Sequence, residues 1–183
     1  MNILETKFEG LHVAETNFLS DSRGSFGRLF CKNELASALK GKEILQINVS
    51  LTEPCGAIRG MHFQHPPHGE MKLVRCIKGS VWDVVVDIRK DSNTFMQWHA
   101  EELSQENARM MIIPEGFAHG FQTMETTSEL LYLHTEYYMP DSEDGLAYND
   151  PKLDISWPLP ITDVSERDQN HPFLSKEFSG III

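Results

Sequence analysis

The most constraining feature of this 183-residue chain is a series of short segments in which apolar and polar residues alternate. These segments are rich in Val, Ile and Trp and are bounded by turn residues, and the clearest are Glu43 to Leu51, Lys72 to Ile77 and Ser80 to Ile88. Alternation with a period of two is typical of a β-strand that buries one face. Lys78-Gly79 predicts a hairpin between the second and third segments, and Gly116 and Gly120 mark a later pair. The pattern predicts antiparallel sheets.

The rest of the chain adds little regular structure to these strands. One short helix is predicted over Lys32 to Leu39, with Asn33 as its N-terminal cap. After Trp157 come three prolines that favour an irregular arm lying over the strands. Many short strands with few helices indicate a sandwich or a barrel, and no composition break divides residues 1–183, so we expect one domain.

The charge balance excludes two classes of partner. Acidic residues outnumber basic ones 27 to 16, which gives a formal net charge of −11. A nucleic-acid backbone or an anionic membrane surface would be repelled on average. No segment approaches the run of about 20 apolar residues that a membrane span requires. We therefore expect no nucleic-acid or membrane partner, and any anionic ligand must be met by local Arg and Lys side chains.

The three cysteines and the first ten residues indicate the cellular compartment of the protein. Cys31, Cys55 and Cys76 form an odd set without CxxC spacing, which favours a reducing cytoplasm over a disulfide framework. The first ten residues mix Lys with Glu and contain no apolar run, so no secretion signal is predicted. The sequence predicts a cytoplasmic protein.

Polar side chains that can carry chemistry interrupt three of the strand-like segments, namely 58–74, 112–121 and 129–134. In a regular strand Arg59 lies on the face opposite His62, although a bend at Gly60 would bring both toward one cavity. The period of two places Tyr132 on the same face as His134. Each residue alone would more often be structural than functional.

Several motifs follow one another along these segments and beyond them: RGMHFQ at 59–64, KLVR at 72–75, DVVVDIR at 83–89, IPEGFAHGF at 113–121 and YYMP at 137–140. They continue with NDP at 149–151, ISWP at 155–158 and SERD at 165–168. Taken in order, these motifs resemble those of the dTDP-4-dehydrorhamnose 3,5-epimerase family, and the resemblance covers nearly all of 21–173.

The resemblance implies an all-β, cupin-type jelly-roll barrel (a double-stranded β-helix) that forms a homodimer. It implies inversion of C3, C5 or both in a 4-keto-6-deoxyhexose linked to a nucleoside diphosphate, with no cofactor and no metal. A proton next to a ketone can be removed when a base stands over it and the enolate oxygen meets a cation or a donor.

The resemblance also implies roles for individual residues. His62 matches the general base, and Asp168 matches the carboxylate that orients its imidazole. Lys72 matches the cation beside the sugar O4, and Tyr132 matches the acid that returns a proton on the opposite face. Family positions that contact the substrate are matched by Arg23, Phe26, Gln46, Asn48, Arg59, His119, Tyr138, Glu143 and Arg167.

Three positions depart from the family pattern. Arg28 replaces an acidic residue, Ile47 replaces a second carboxylate, and Arg167 stands where lysine is frequent. These departures leave open the nucleotide, the sugar and the number of carbons inverted.

Two alternatives from other classes remain at this stage. A metal-dependent cupin enzyme would use residue types that hold Fe, Mn or Zn, found here in His62, His65, His68, Glu70 and His119. A sugar-binding barrel without turnover is the second alternative, because a fold alone does not determine a function.

Overall fold

The computed structural model describes residues 1–183 and contains thirteen strands and two short α-helices. The strands are β1 Asn2–Glu5, β2 His12–Glu15, β3 Leu19–Asp21, β4 Gly24–Phe26, β5 Gln46–Thr52, β6 Ile58–Gln64, β7 Lys72–Lys78, β8 Ser80–Asp87, β9 Trp98–Ser104, β10 Arg109–Ile113, β11 Phe117–Thr123, β12 Ser128–His134 and β13 Glu143–Gly145. The helices are α1 Ala36–Leu39 and α2 Glu166–Gln169, and one 3₁₀ turn covers Pro140–Ser142. None of the helices is both long enough and apolar enough to span a bilayer.

Two antiparallel sheets face each other and enclose the main core. The first has the strand order β1-β2-β10-β7-β12-β5, and the second has the order β13-β6-β11-β8-β9. Apolar side chains from both inner faces meet between them, including Val74 and Leu130 from the first sheet and Val85 and Phe121 from the second. From β5 onward the chain crosses between the sheets at every connection except β8–β9. This is a jelly-roll barrel, as the family resemblance implies; the residue pattern alone predicts a sandwich or a barrel.

The hairpin predicted at Lys78-Gly79 is wrong. β7 lies in the first sheet and β8 in the second, so the two strands are not paired. Gly79 instead forms a corner between the sheets: its φ is +71°, and a Cβ there would lie 2.8 Å from Ser128 Oγ. Gly116, at φ +82°, makes a similar corner between β10 and β11, whereas Gly120 lies inside β11. Alternation identifies strands correctly but does not specify their partners.

The predicted N-terminal helix is present but shorter than expected. It begins at Ala36 rather than Lys32, and no side chain caps it, so the predicted capping role of Asn33 is wrong. Leu35, Ala38 and Leu39 are buried against the outer face of the first sheet. The helix is therefore a cover for that sheet.

The irregular C-terminal arm is confirmed. It covers the outer face of the second sheet, where Ile181 packs with Met61, Val84 and Val86 of the sheet. Two isolated parallel bridges tie the arm down: one joins Ile181 to Arg89, and the other joins Val164 to Ile58, next to the helical turn α2. The arm thereby brings residues from near the end of the chain against β6.

Candidate active site

A cavity of about 1040 Å³ opens between the sheets and is closed on one side by the arm. All the residues predicted for the site, except Arg23 and Phe26, line it. Those residues are Gln46, Asn48, Arg59, His62, Lys72, His119, Tyr132, Tyr138, Glu143, Arg167 and Asp168.

A β-bulge in β6 brings Arg59 and His62 to the same cavity. His119 of β11 lies opposite His62, and Phe121 lies opposite Arg59, so β6 contains one residue more than β11 between these pairs. The extra residue reverses the alternation of side chains. Gly60 has a φ of +121°, and a Cβ there would lie 2.4 Å from the Cα of Gly120. Only glycine fits this close approach.

His62 and Asp168 form a hydrogen-bonded pair. His62 Nε2 lies 2.7 Å from Asp168 Oδ1, and Oδ2 accepts the Gly60 N–H at 3.0 Å. Asp168 is 2% exposed, and its own N–H is capped by Ser165 Oγ at 3.2 Å. An ionised carboxylate can only accept, so His62 Nε2 carries the hydrogen and Nδ1 keeps a lone pair.

The surroundings shift both pKa values of this pair downward. Burial raises the pKa of Asp168, but the hydrogen bonds from His62 and Gly60 outweigh it and bring the pKa down to about 2. Burial lowers the pKa of His62, and the opposing influence of Asp168 is not large enough to restore it. The imidazole is therefore neutral, and able to accept a proton, at neutral pH.

A chain of polar contacts runs from His62 toward solvent. Because Nε2 carries the hydrogen, Arg167 Nη2 can donate only to His62 Nδ1, at 3.3 Å, and its 2.7 Å approach to Nε2 is not a hydrogen bond. Arg167 Nη1 pairs with Glu143 at 2.9 Å. Tyr138 donates its hydroxyl to Glu143 at 2.8 Å. Arg167 and Tyr138 are both about half exposed, so this chain stands at the mouth of the cavity.

Tyr132 lies on the first sheet, across the cavity from His62 on the second. Its hydroxyl is 3.1 Å from Ser50 Oγ, and burial raises its pKa well above the ordinary value of 10. The phenol is therefore protonated at neutral pH and available as a donor. His119, buried opposite His62, meets Tyr132 edge to face at 6.3 Å between ring centroids.

His119 has a carboxylate partner that sequence reasoning missed. Its Nε2 lies 2.9 Å from Asp83 Oδ2, and Asp83 is fully buried in β8. Burial raises the pKa of Asp83 despite the neighbouring His119. The available signal was Asp83, one of two acidic residues within the otherwise mostly apolar segment Ser80 to Ile88.

A third histidine–carboxylate pair adjoins Lys72. Glu70 Oε1 lies 3.0 Å from Lys72 Nζ, and Glu70 Oε2 lies 2.7 Å from His134 Nδ1. Burial raises the pKa of Glu70, but the hydrogen bond with His134 and the charge of Lys72 outweigh it, so the pKa lies below its usual range. Lys72 also donates to the His62 carbonyl at 3.4 Å.

Arg59 differs from the other cations of the cavity because no carboxylate pairs with it. Its guanidinium donates to Thr52 Oγ1 at 2.8 Å and to the Leu51 carbonyl at 3.2 Å. Of the two predicted amides nearby, Gln46 accepts the Tyr138 N–H at 3.2 Å and Asn48 lies 3.3 Å from His134 Nε2. An uncompensated guanidinium in a cavity is suited to an anionic ligand group.

Two predicted ligand residues lie outside this cavity. Arg23 sits in the turn of the β3–β4 hairpin, where it pairs with Asp21 at 2.7 Å and its side chain is 87% exposed. Phe26 of β4 is also largely exposed. Two of the family departures lie outside as well: Arg28 pairs with Glu34, and Ile47 is exposed on β5.

No three of the residues proposed for a metal cupin have ligand-type atoms within 4.8 Å of one another. His65 lies 3.0 Å from Asp144 near the surface, while His119 and Glu70 have the partners described above. A different trio, His62, Asp168 and His171, has ligand-type atoms within 4.8 Å of one another. There the Arg167 guanidinium stands against the His62 imidazole, an environment unfavourable to a second cation.

Comparison with known proteins gives one consistent result. Residues 5–176 match the family model described as dTDP-4-dehydrorhamnose 3,5-epimerase. A protein of that description from Sinorhizobium fredii (strain NBRC 101917 / NGR234) is 38% identical over 176 residues, which are 93% of this chain and 90% of the relative.

Solved structures agree in fold. The Bacillus anthracis dTDP-4-dehydrorhamnose 3,5-epimerase, with TDP and PPi bound, is 38% identical and superposes with a TM-score of 0.91, covering 94% of this chain and 99% of its own. A Legionella pneumophila dTDP-6-deoxy-D-glucose-3,5-epimerase in complex with dTDP-4-keto-L-rhamnose is 35% identical, with a TM-score of 0.91 and coverages of 100% and 98%.

Proposed function

The chain belongs to the dTDP-4-dehydrorhamnose 3,5-epimerase family, and from this we propose that it inverts C3, C5 or both in a dTDP-linked 4-keto-6-deoxyhexose. The chemistry is carbohydrate epimerisation by removal of a proton next to the ketone and return of a proton on the other face. No cofactor is required by this reaction. The protein's own acids and bases supply every proton transfer.

The observation that carries this proposal is the placement of an imidazole and a phenol on opposing sheets of one cavity. His62 is neutral and oriented by Asp168, and Tyr132 is protonated and buried. Removal and return of a proton on one face would regenerate the substrate. Inversion needs one group on each face, and the two sheets supply one each.

In the mechanism that this geometry supports, His62 Nδ1 removes the proton on the carbon next to the ketone. Negative charge then collects on the sugar O4, where the Lys72 ammonium offsets it. Tyr132 returns a proton to the opposite face. Asp168 keeps His62 in the productive tautomer, and His119, held by Asp83, positions the same region of the sugar.

The nucleotide end of the substrate is assigned to the mouth of the cavity. Arg59 has no carboxylate partner, and Arg167 shares Glu143 with Tyr138 at the solvent side. Guanidinium groups suit a diphosphate because their N–H donors form a planar fork. Gln46 and Asn48 on β5 offer amide groups on the same wall.

We assign a homodimer to the active form. β5 is an edge strand of the first sheet and exposes Ile47, Val49 and Leu51 on one face, so both its edge and its apolar side chains lack a partner. A second copy would cover this strand. In the same assembly we assign Arg23 and Phe26 to the partner's cavity, because they do not line the active-site cavity of their own chain.

The compartment that fits this chemistry is the cytoplasm. Cys31, Cys55 and Cys76 are all free thiols, as expected under reducing conditions.

Proton exchange in heavy water tests the proposed reaction directly. The protein is incubated with several nucleoside-diphosphate 4-keto-6-deoxyhexoses, and NMR follows deuterium entry and configuration at each ring carbon. The wild-type protein incorporates deuterium and inverts C3, C5 or both. His62→Ala abolishes exchange at both carbons because the base is gone, whereas Tyr132→Phe permits exchange but impairs inversion.

His65→Ala is the matched control, because this exposed histidine also pairs with a carboxylate but lies outside the cavity. It retains wild-type exchange. Full activity in His62→Ala or Tyr132→Phe contradicts the role assigned to that residue. Tight binding of the sugar without any exchange would instead show a binding barrel without turnover.

A further inference from the structure

The proposed mechanism requires the Lys72 ammonium to be held in a fixed position next to the sugar O4. Lysine carries its charge on a flexible four-carbon chain, and a cation accelerates enolate formation only when it is held where the charge develops. Here Lys72 Nζ is 3.0 Å from Glu70 Oε1 and donates to the His62 carbonyl at 3.4 Å. An ammonium has three N–H donors, so these two contacts leave one for the substrate.

Glu70 is itself fixed from a second side. Its other oxygen lies 2.7 Å from His134 Nδ1, and His134 is directly opposite Lys72 in the β7–β12 pairing. The three side chains are only 10% to 13% exposed. Because each carboxylate oxygen has its own partner, the carboxylate cannot rotate without losing one of them.

The same contacts reach the acid on this sheet. The His134 ring stacks on Tyr132 at 6.0 Å between centroids with an interplanar angle of 20°, and its Nε2 lies 3.3 Å from Asn48. Glu70 therefore contacts the Lys72 ammonium directly and the Tyr132 ring indirectly, through His134.

We infer that Glu70 is a positioning residue that fixes the Lys72 ammonium at the enolate oxygen, with His134 holding the Glu70 carboxylate in place. This inference rests on the proposed function. Glu70 acts through Lys72, because both of its oxygens are already engaged by protein groups.

The variant Glu70→Gln tests this role because it keeps the shape of the side chain and removes its charge. We expect kcat for deuterium exchange to fall by about tenfold or more, with KM within about twofold of wild type, since a misplaced cation weakens the transition state more than binding. Glu129→Gln is the matched control: Glu129 pairs with Lys78 at 3.4 Å across the same two strands, outside the cavity. It leaves both constants unchanged.

A double-mutant cycle separates positioning from a general structural role. In a Lys72→Ala background, Glu70→Gln causes no further loss of exchange, because there is no ammonium left to position. His134→Ala is a second route to the same test if Glu70→Gln does not fold, and it likewise lowers kcat with little change in KM.

Three results would overturn the inference. The first is a wild-type kcat in Glu70→Gln. The second is a reduction of kcat by Glu70→Gln that is the same in the wild-type and the Lys72→Ala backgrounds. The third is a His134→Ala variant in which KM rises and kcat is unchanged. A wild-type protein that exchanges no keto sugar overturns the proposed function and this inference with it, whereas an active wild type with an unaffected Glu70→Gln overturns this inference alone.

Discussion

Three histidines of the cavity each have a carboxylate partner, but the pairs differ in what the histidine can still do. His62 contacts Asp168 through Nε2, and its Nδ1 lies on the cavity side, where the neighbour at 3.3 Å is the half-exposed guanidinium of Arg167. His119 is buried, and its partner Asp83 is fully buried. His134 uses both nitrogens, one toward Glu70 and one toward Asn48. Of the three, His62 has the geometry of a general base.

The pH dependence of kcat/KM should report this base. His62 must be neutral to accept a proton, and burial lowers its pKa below the ordinary 6.5. Activity therefore persists at pH 6.5 and declines tenfold per pH unit only at lower pH. Asp168→Asn removes the negative charge that opposes the lowering of the His62 pKa. The acid side of the pH profile therefore shifts to still lower pH, and the maximal kcat/KM falls by about 10²-fold or more.

Initial rates from pH 4.5 to 8 measure both effects. Asp144→Asn removes the carboxylate of the exposed His65 pair and serves as control, with an unchanged profile expected. An acid limb above pH 6.5 in the wild type, or one that rises in Asp168→Asn, contradicts the assignment of His62.

At this scale the resemblance located the residues on the cavity wall and gave Asp168 as the partner of His62, but it did not give the partners of His119 and Lys72. His62, Lys72, Tyr132 and Asp168 could be matched by motif, and they meet in one cavity. The pairing of His119 with Asp83 joins two strands that alternation alone does not place side by side. Such contacts depend on strand register, which a single sequence specifies weakly.

At the scale of elements, the bulge in β6 decides which side chains reach the cavity. A bend at Gly60 was one of two open possibilities in the sequence, because regular alternation separates Arg59 from His62. The structure has the bend. The strands themselves were recognisable, whereas the corner at Gly79 was not, because a short glycine turn is compatible with a hairpin and with a crossover between sheets.

Substitution at the bulge should be costly for steric reasons beyond backbone strain. Gly60→Ala places a Cβ 2.4 Å from Gly120 Cα at a φ of +121°, whereas Gly24→Ala has a similar φ of +137° and nothing within 4 Å. We expect Gly24→Ala to lower the free energy of unfolding by about 1–2 kcal/mol. Gly60→Ala should lose about 1–3 kcal/mol more.

Urea unfolding at one protein concentration gives the free energy of unfolding of both variants, provided that its dependence on urea concentration has the same slope as in the wild type. Equal losses in the two variants would mean that the close approach of β6 and β11 does not restrict this position.

At the scale of the whole molecule, the proposed dimer interface is formed by the exposed apolar row Ile47, Val49 and Leu51 of β5. Val49 is 63% exposed there, in the centre of an apolar row on an edge strand. We expect the wild-type protein to sediment at twice its chain mass of 20.9 kDa, and Val49→Glu to shift it toward the monomer because the new charge would be buried without a partner.

Leu4→Glu is the control, because Leu4 is an exposed apolar residue on β1, the opposite edge strand of the same sheet. Sedimentation equilibrium distinguishes the outcomes. A monomeric wild type, or a Val49→Glu protein as dimeric as Leu4→Glu, contradicts the assignment of this face.

The corner at Gly79 also bears on how the chain acquires its structure during synthesis. Because successive strands enter opposite sheets, the ladders join remote segments: Val13 lies opposite Met111, and Val49 opposite Leu131. Folding is slow because the chain loses the entropy of closing these long loops before strand pairing contributes any stabilising contacts. A nascent chain that has not yet emerged through β12 holds no finished first sheet, and its Val- and Ile-rich strand edges stay open to aggregation on the ribosome.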